Sequence, residues 1–208
     1  MTSTPRFDFE RLKAALSVAA RRAFVEIQTA HRDERIYSFA LFTSSELRHI
    51  LPTAATEEGL SEAARTYSES GQARGLSLDE LRHLLRWRMV DSPLHLEGAG
   101  HLEEVQELLE PLPDILDGLP ENSWDEFDAI VERYMGVCVD VLKQLDAEGV
   151  FGQQQRRNAI VLNVVMGSES DEERIKYARL LNPSPTVLSY QAELGLERES
   201  RYWSTGVD

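Results

Sequence analysis

Two short apolar runs, Ile36 to Phe42 and Ile160 to Met166, stand far apart in the chain, and neither shows the alternation of a strand with one wet face. A run like this needs cover on both sides. Each therefore reads as a strand in a sheet sandwiched by helices, and the two are expected in one sheet. Ile36-Tyr37-Ser38-Phe39-Ala40-Leu41-Phe42 is expected as the central strand, rich in β-branched and aromatic residues. Thr43-Ser44-Ser45 is a polar turn, and residues 47–51 return as the second arm of a hairpin. Pro52, with no amide hydrogen to donate, is expected to close that ladder. Gly167 ends the second run.

The covering helices announce themselves by spacing. Leu12, Leu16, Ala19, Ala20, Ala23, Phe24 and Ile27 recur at three and four residues, which predicts an amphipathic helix from Asp8 to near His31. Phe127, Ile130, Val131, Tyr134, Cys138, Val141, Leu142 and Leu145 predict a long core helix from Trp124. Helix starts are marked by serine with glutamate three residues on, at Ser77/Glu80, Ser123/Glu126 and Ser170/Glu173, and by Ser184 before Pro185. Pro93, Gly98 and Gly100 frame one loop, Pro111, Pro113, Gly118 and Pro120 a second, Gly149 and Gly152 a third. None is long enough to separate domains. The expected architecture is a helix-rich α+β fold: a small mainly antiparallel sheet with helices packed on its faces. Residues 1–208 are expected as a single globular domain with a flexible tail at 204–208.

Several short pieces of this chain occur together in a known pattern. They are Tyr37-Ser38-Phe39-Ala40-Leu41-Phe42-Thr43 followed by Pro52-Thr53-Ala54-Ala55-Thr56-Glu57-Glu58, Arg86-Trp87 ahead of Glu97-Gly98, and Val164-Val165-Met166-Gly167 ahead of Leu181-Asn182-Pro183. In these the chain resembles a bacterial family catalogued as domain of unknown function 4303. The resemblance spans most of the chain and implies no particular activity or functional residue. The stretch Arg88 to His95 departs from the pattern in lacking a second tryptophan.

Charge limits the partners. With 36 acidic against 22 basic residues the chain carries a formal −14, so phosphate backbones and anionic leaflets repel it, and neither nucleic acid nor a membrane is expected as partner. A single cysteine, no membrane-length apolar run and no apolar leader in residues 1–7 point to the cytoplasm.

No catalytic or cofactor signature is present. Cys138 reads as a small hydrophobe on the core stripe, a nucleophile being the alternative. His95, Glu97 and His101 lie near one another in sequence but lack metal-motif spacing, and no metal or cofactor is expected. Gly98-Ala99-Gly100 is no dinucleotide loop. Glu169, Asp171, Glu172 and Glu173 suit a helix first turn as well as a cation. Asn163 is a satisfied core amide or a pocket group. Arg82, Arg86, Trp87 and Arg88 form a cationic, aromatic patch that either binds an anion or pairs with the protein's own acids.

One feature stands out. Between Glu97 and Glu132 lie twelve carboxylates and no lysine or arginine, which leaves 24 acidic and 22 basic residues in all the rest. Glu103, Glu107 and Glu110 share a helical face, with Asp114 and Asp117 beyond them, opposite Leu102, Val105, Leu108 and Leu109. The leading expectation is a non-enzymatic interaction protein that docks a basic protein on this face, as acidic inhibitors do. A plain solvated face is the competing account. The enzymatic alternative is a hydrolase or transferase with a pocket lined by Arg86, Trp87, His95, Glu97 and Asn163.

Overall fold

The structure, a computed structural model, describes residues 7–71, 73, 75–167 and 170–199. Its middle is β1 (Ile36–Thr43), flanked by β2 (Ile50–Thr56) and β3 (Val161–Met166) in the order β2-β1-β3. The two distant runs do share one sheet. β2 lies antiparallel to β1, with Phe39 opposite Ala54, and β3 lies parallel to it, with Phe39 opposite Leu162. The sheet is therefore mixed: the tight hairpin imposes one direction, and a return through many helices permits the other.

Alternation along β1 from Ser38 onward, with a register shift between Ile36 and Ser38 that sends Tyr37 to the other side, feeds two cores. Phe39 and Leu41 face α1 (Phe9–Ala30) and α6 (Trp124–Ala147), where Phe24 meets Phe39 edge-on at 5.1 Å and Phe151 at 4.8 Å. Tyr37 and Ala40 face α2 (Glu57–Glu69), α3 (Leu78–Leu85) and Tyr190 of α9 (Ser184–Glu199). Each large side chain taken fully out of water contributes about 1.5–3 kcal/mol, so a doubly covered strand repays its apolar composition. The buried stripe of α6 starts at Tyr134; Phe127, Ile130 and Val131 are only half-buried. Tyr134 is fixed there by its hydroxyl, 2.8 Å from both Thr43 Oγ1 and the His49 carbonyl.

The chain deviates locally from its sequence expectations. Pro52 does not end its strand, since β2 continues to Thr56 with Pro52 opposite Leu41. β2 is an edge, and the Pro52 carbonyl accepts from Leu96 N at 3.2 Å on the side away from β1, where its missing donor also falls. Thr53 forms one further bridge there with His95. On the opposite edge the Asn182 side chain replaces a neighbouring strand, accepting from Leu162 N at 2.8 Å and donating to Leu162 O at 2.7 Å.

Capping boxes form at Ser77/Glu80 and at Ser170/Glu173, which opens α8 (Asp171–Leu181). Ser123 makes no side-chain cap, because its ψ of 46° lies outside the extended region a capping serine adopts. The second expected loop holds α5 (Pro111–Asp117), which follows directly on α4 (Glu103–Leu109) and whose Pro111 occupies the first position, where no donor is needed. Ser184 is the first residue of α9, not its cap. The short α7 (Gln154–Asn158) precedes β3. The tail expected at 204–208, and Glu169, lie outside the described residues.

Candidate functional site

The acidic segment enters through Gly98, whose φ of +78° and whose position against α1 both exclude a side chain: a Cβ there would sit 2.9 Å from that of Ala23. One 3-10 turn later α4 and α5 begin. Leu102, Val105, Leu109 and Leu112 are buried in the α1 and α6 core, and Gln106 Nε2 donates to the Ile50 carbonyl at 2.7 Å. Pinning the apolar side turns the acids outward. Glu103, Glu104, Glu107, Glu110, Asp114 and Asp117 are exposed, and so are Glu121, Asp125, Glu126, Asp128 and Glu132. Among the described residues no lysine, arginine or histidine pairs with any of these eleven. Acids elsewhere are commonly matched, as Lys13 with Asp140 at 2.7 Å and His101 with Glu26 at 2.7 Å.

The cationic patch is engaged internally. Arg86 reaches Glu57 and Glu193, each at 2.6 Å, and Arg82 reaches Glu57 at 3.1 Å; the Arg86 guanidinium holds the Glu57 carboxyl below the usual range. Tyr37 donates its hydroxyl to the Arg86 carbonyl at 2.7 Å and lays its ring 4.4 Å beneath the Arg86 guanidinium. Burial pushes the Tyr37 phenol well up. Arg88 pairs with Asp91 at 3.8 Å.

Trp87 packs edge-on to Tyr37 at 5.4 Å and Tyr190 at 4.6 Å, and its buried Nε1 has no hydrogen-bond partner among the described residues. With Asn163 it lines a cavity of about 10 Å³, room for one water and no substrate. Asn163 is both a bonded amide and a cavity wall. Its Nδ2 donates to the Arg174 carbonyl at 3.2 Å and its Oδ1 accepts from Val164 N at 2.9 Å.

His95 and Glu97 belong to other neighbourhoods. His95 Nδ1 lies 3.3 Å from Thr53 Oγ1, its ring edge-on to Phe42 at 5.3 Å, and Phe42 also stacks with His49 at 5.9 Å; burial pushes both imidazoles down. Glu97 bonds His31 Nε2 at 2.9 Å, while Glu34 takes His31 Nδ1 at 2.8 Å. The structure thus joins Arg86 to Trp87. No hydrogen bond or ion pair among the described residues ties His95 or Glu97 to them.

The remaining candidates resolve simply. Cys138 is fully buried and burial pushes its thiol up to about 12, so it packs as a small hydrophobe. No group of three or more potential metal ligands occurs among the described residues. No helix among them is long and apolar enough to cross a membrane.

Sequence reasoning missed Glu57 and Glu193 as the partners of Arg86, and His31 as the partner of Glu97. Pairings across 29, 107 and 66 positions leave no local signal. The N-cap of α2 was readable in principle: Thr56 stands just before Glu57, and its hydroxyl accepts from Gly59 N, three residues on, at 2.9 Å.

No curated protein and no solved structure matches the chain. A family model does match, over residues 16–183, which takes in the whole sheet, the acidic helices and Asn182. The chain therefore belongs to the family described as Domain of unknown function (DUF4303).

Proposed function

We propose that this protein is a non-enzymatic, cytoplasmic binder that docks a basic protein on the face formed by Glu103, Glu107, Glu110, Asp114 and Asp117 and continued to Glu132. The observation that carries this reading is the run of eleven exposed carboxylates, none of which forms an ion pair with a cation of the described residues. Glu103 and Glu107 are four apart on one helix, where like charges repel by a few tenths of a kcal/mol, and interspersed lysines would relieve this at no structural cost. A field of one sign steers an oppositely charged partner and speeds its encounter.

The test is co-purification from cell extract by the wild type and by a variant carrying Glu103→Gln, Glu107→Gln and Glu110→Gln, at low and raised salt. Basic proteins captured at low salt should be lost from the variant and released by salt, since exposed charges act within a Debye length of about 8 Å at physiological ionic strength. A variant that retains the same partner with unchanged salt dependence refutes the reading.

A further inference from the structure

Within the acidic face lies one apolar recess. The end of α5 and the first turn of α6 enclose an open groove of about 420 Å³, floored by Leu116, Leu119 and Pro120 and walled by Trp124 and Phe127, with Glu121 at its rim. Trp124 is 68% exposed, the most exposed large apolar side chain described. Phe127 is half-buried and follows at i+3, so the two rings share a face of α6. Glu121 is the carboxylate that lines the groove, and Asp125 and Asp128, the exposed chain neighbours of Trp124 and Phe127, add negative charge to the same turn of α6. Exposed tryptophan is unusual on a free surface and common among residues that dominate binding energy.

Resting on the docking reading above, we propose that this groove anchors an arginine of the basic partner, its guanidinium stacked on Trp124 and held by the surrounding carboxylates. Charge selects a cation here. Between the two basic side chains the flat indole selects arginine, which is planar, weakly hydrated and able to stack while its edge bonds carboxylates; lysine is a compact and strongly hydrated point charge. The same helix already shows this chemistry internally. The Arg133 guanidinium lies 4.9 Å over the Phe9 ring while reaching Glu10 at 3.8 Å. A face that served only solvation would need no indole in its middle, and a purely apolar dock would not carry Glu121 at its rim.

The experiment compares fluorescein-labelled nona-arginine and nona-lysine by anisotropy, at low and at physiological salt, against the wild type, Trp124→Ala and the triple glutamine variant. Trp124 is exposed, so its replacement leaves the fold intact, which circular dichroism checks. The wild type should bind nona-arginine about 2–5-fold tighter than nona-lysine, the size of one exposed cation–π contact. Trp124→Ala should erase that preference by weakening nona-arginine alone, whereas the glutamine variant should weaken both peptides. Equal affinity of the wild type for the two peptides, or a preference that Trp124→Ala retains, overturns the arginine anchor and leaves the acidic dock standing. If neither peptide binds at low salt, both readings fall.

Discussion

Arg157 ties three elements together, and replacing it with methionine should cost much of the protein's stability. Its side chain is 8% exposed. Nε donates to Asp146 Oδ1 at 2.5 Å near the end of α6, Nη1 to the Ile160 carbonyl at 2.8 Å ahead of β3, and Nη2 to the Leu181 carbonyl at 2.7 Å at the end of α8. Methionine keeps the apolar stem and removes every donor. Two carbonyls and one carboxylate then lose their partner; each buried orphan costs about 1–3 kcal/mol, and breaking a buried ion pair from one side costs about 3–5 kcal/mol in all. Asp146 is 29% exposed and recovers some hydration, which places the sum inside that range and not above it.

Against a total stability of about 5–15 kcal/mol the loss is large, and at this chain length it corresponds to a fall in Tm of roughly 10 °C. Urea unfolding followed by circular dichroism should show a lowered midpoint at unchanged slope. Arg157→Lys should lose less, because an ammonium still serves one or two of the acceptors but cannot fork to all three. A methionine variant that melts within about 2 °C of the wild type, on that same 2–4 °C per kcal/mol scale, would refute the accounting.

Two further outcomes follow from the buried groups. Cys138, fully buried with its thiol pushed up to about 12, should resist a thiol reagent in the native state and react at the rate of unfolding; rapid native labelling would refute its packing role. At His31 burial lowers the imidazole pKa, but the hydrogen bonds and charges of Glu34 and Glu97 outweigh it, and the net shift is upward from 6.5. The protonated form is favoured in the folded state, so its contribution is complete below pH 6.5 and fades as pH rises through the raised value. Glu97→Gln should move the His31 titration seen by NMR downward and shrink that loss on the alkaline side; a titration that stays in place would refute the pairing.

The sheet was readable because Ile36 to Phe42 and Val161 to Met166 are apolar on both faces along most of their length, and the capping boxes because Ser77/Glu80 and Ser170/Glu173 complete their chemistry within one turn. The direction of β3 was not readable: a strand's composition does not depend on whether its neighbour runs with it or against it, and only the path of the intervening helices decides. Proline was misread twice for one reason. Pro52 and Pro111 lack a donor, yet each sits where that donor would have pointed away from the ladder or into an unpaired first turn. The acidic run stands out in one dimension, since no long-range pairing is needed to see it. The Arg86 network could not be seen, because Glu57 and Glu193 meet it only through the fold.

The two edges of the sheet carry a consequence for self-association. A three-stranded sheet normally offers two rows of free backbone groups, each able to recruit a foreign strand and begin aggregation. Here one row is interrupted by Pro52 and occupied by Leu96 and His95, and the other is met at Leu162 by an asparagine amide that supplies one donor and one acceptor as a strand would. An incoming chain would have to displace Asn182 or bond to a proline that has nothing to give. Growth by strand addition is thereby obstructed from both sides, and contact with other proteins is directed to the helical exterior.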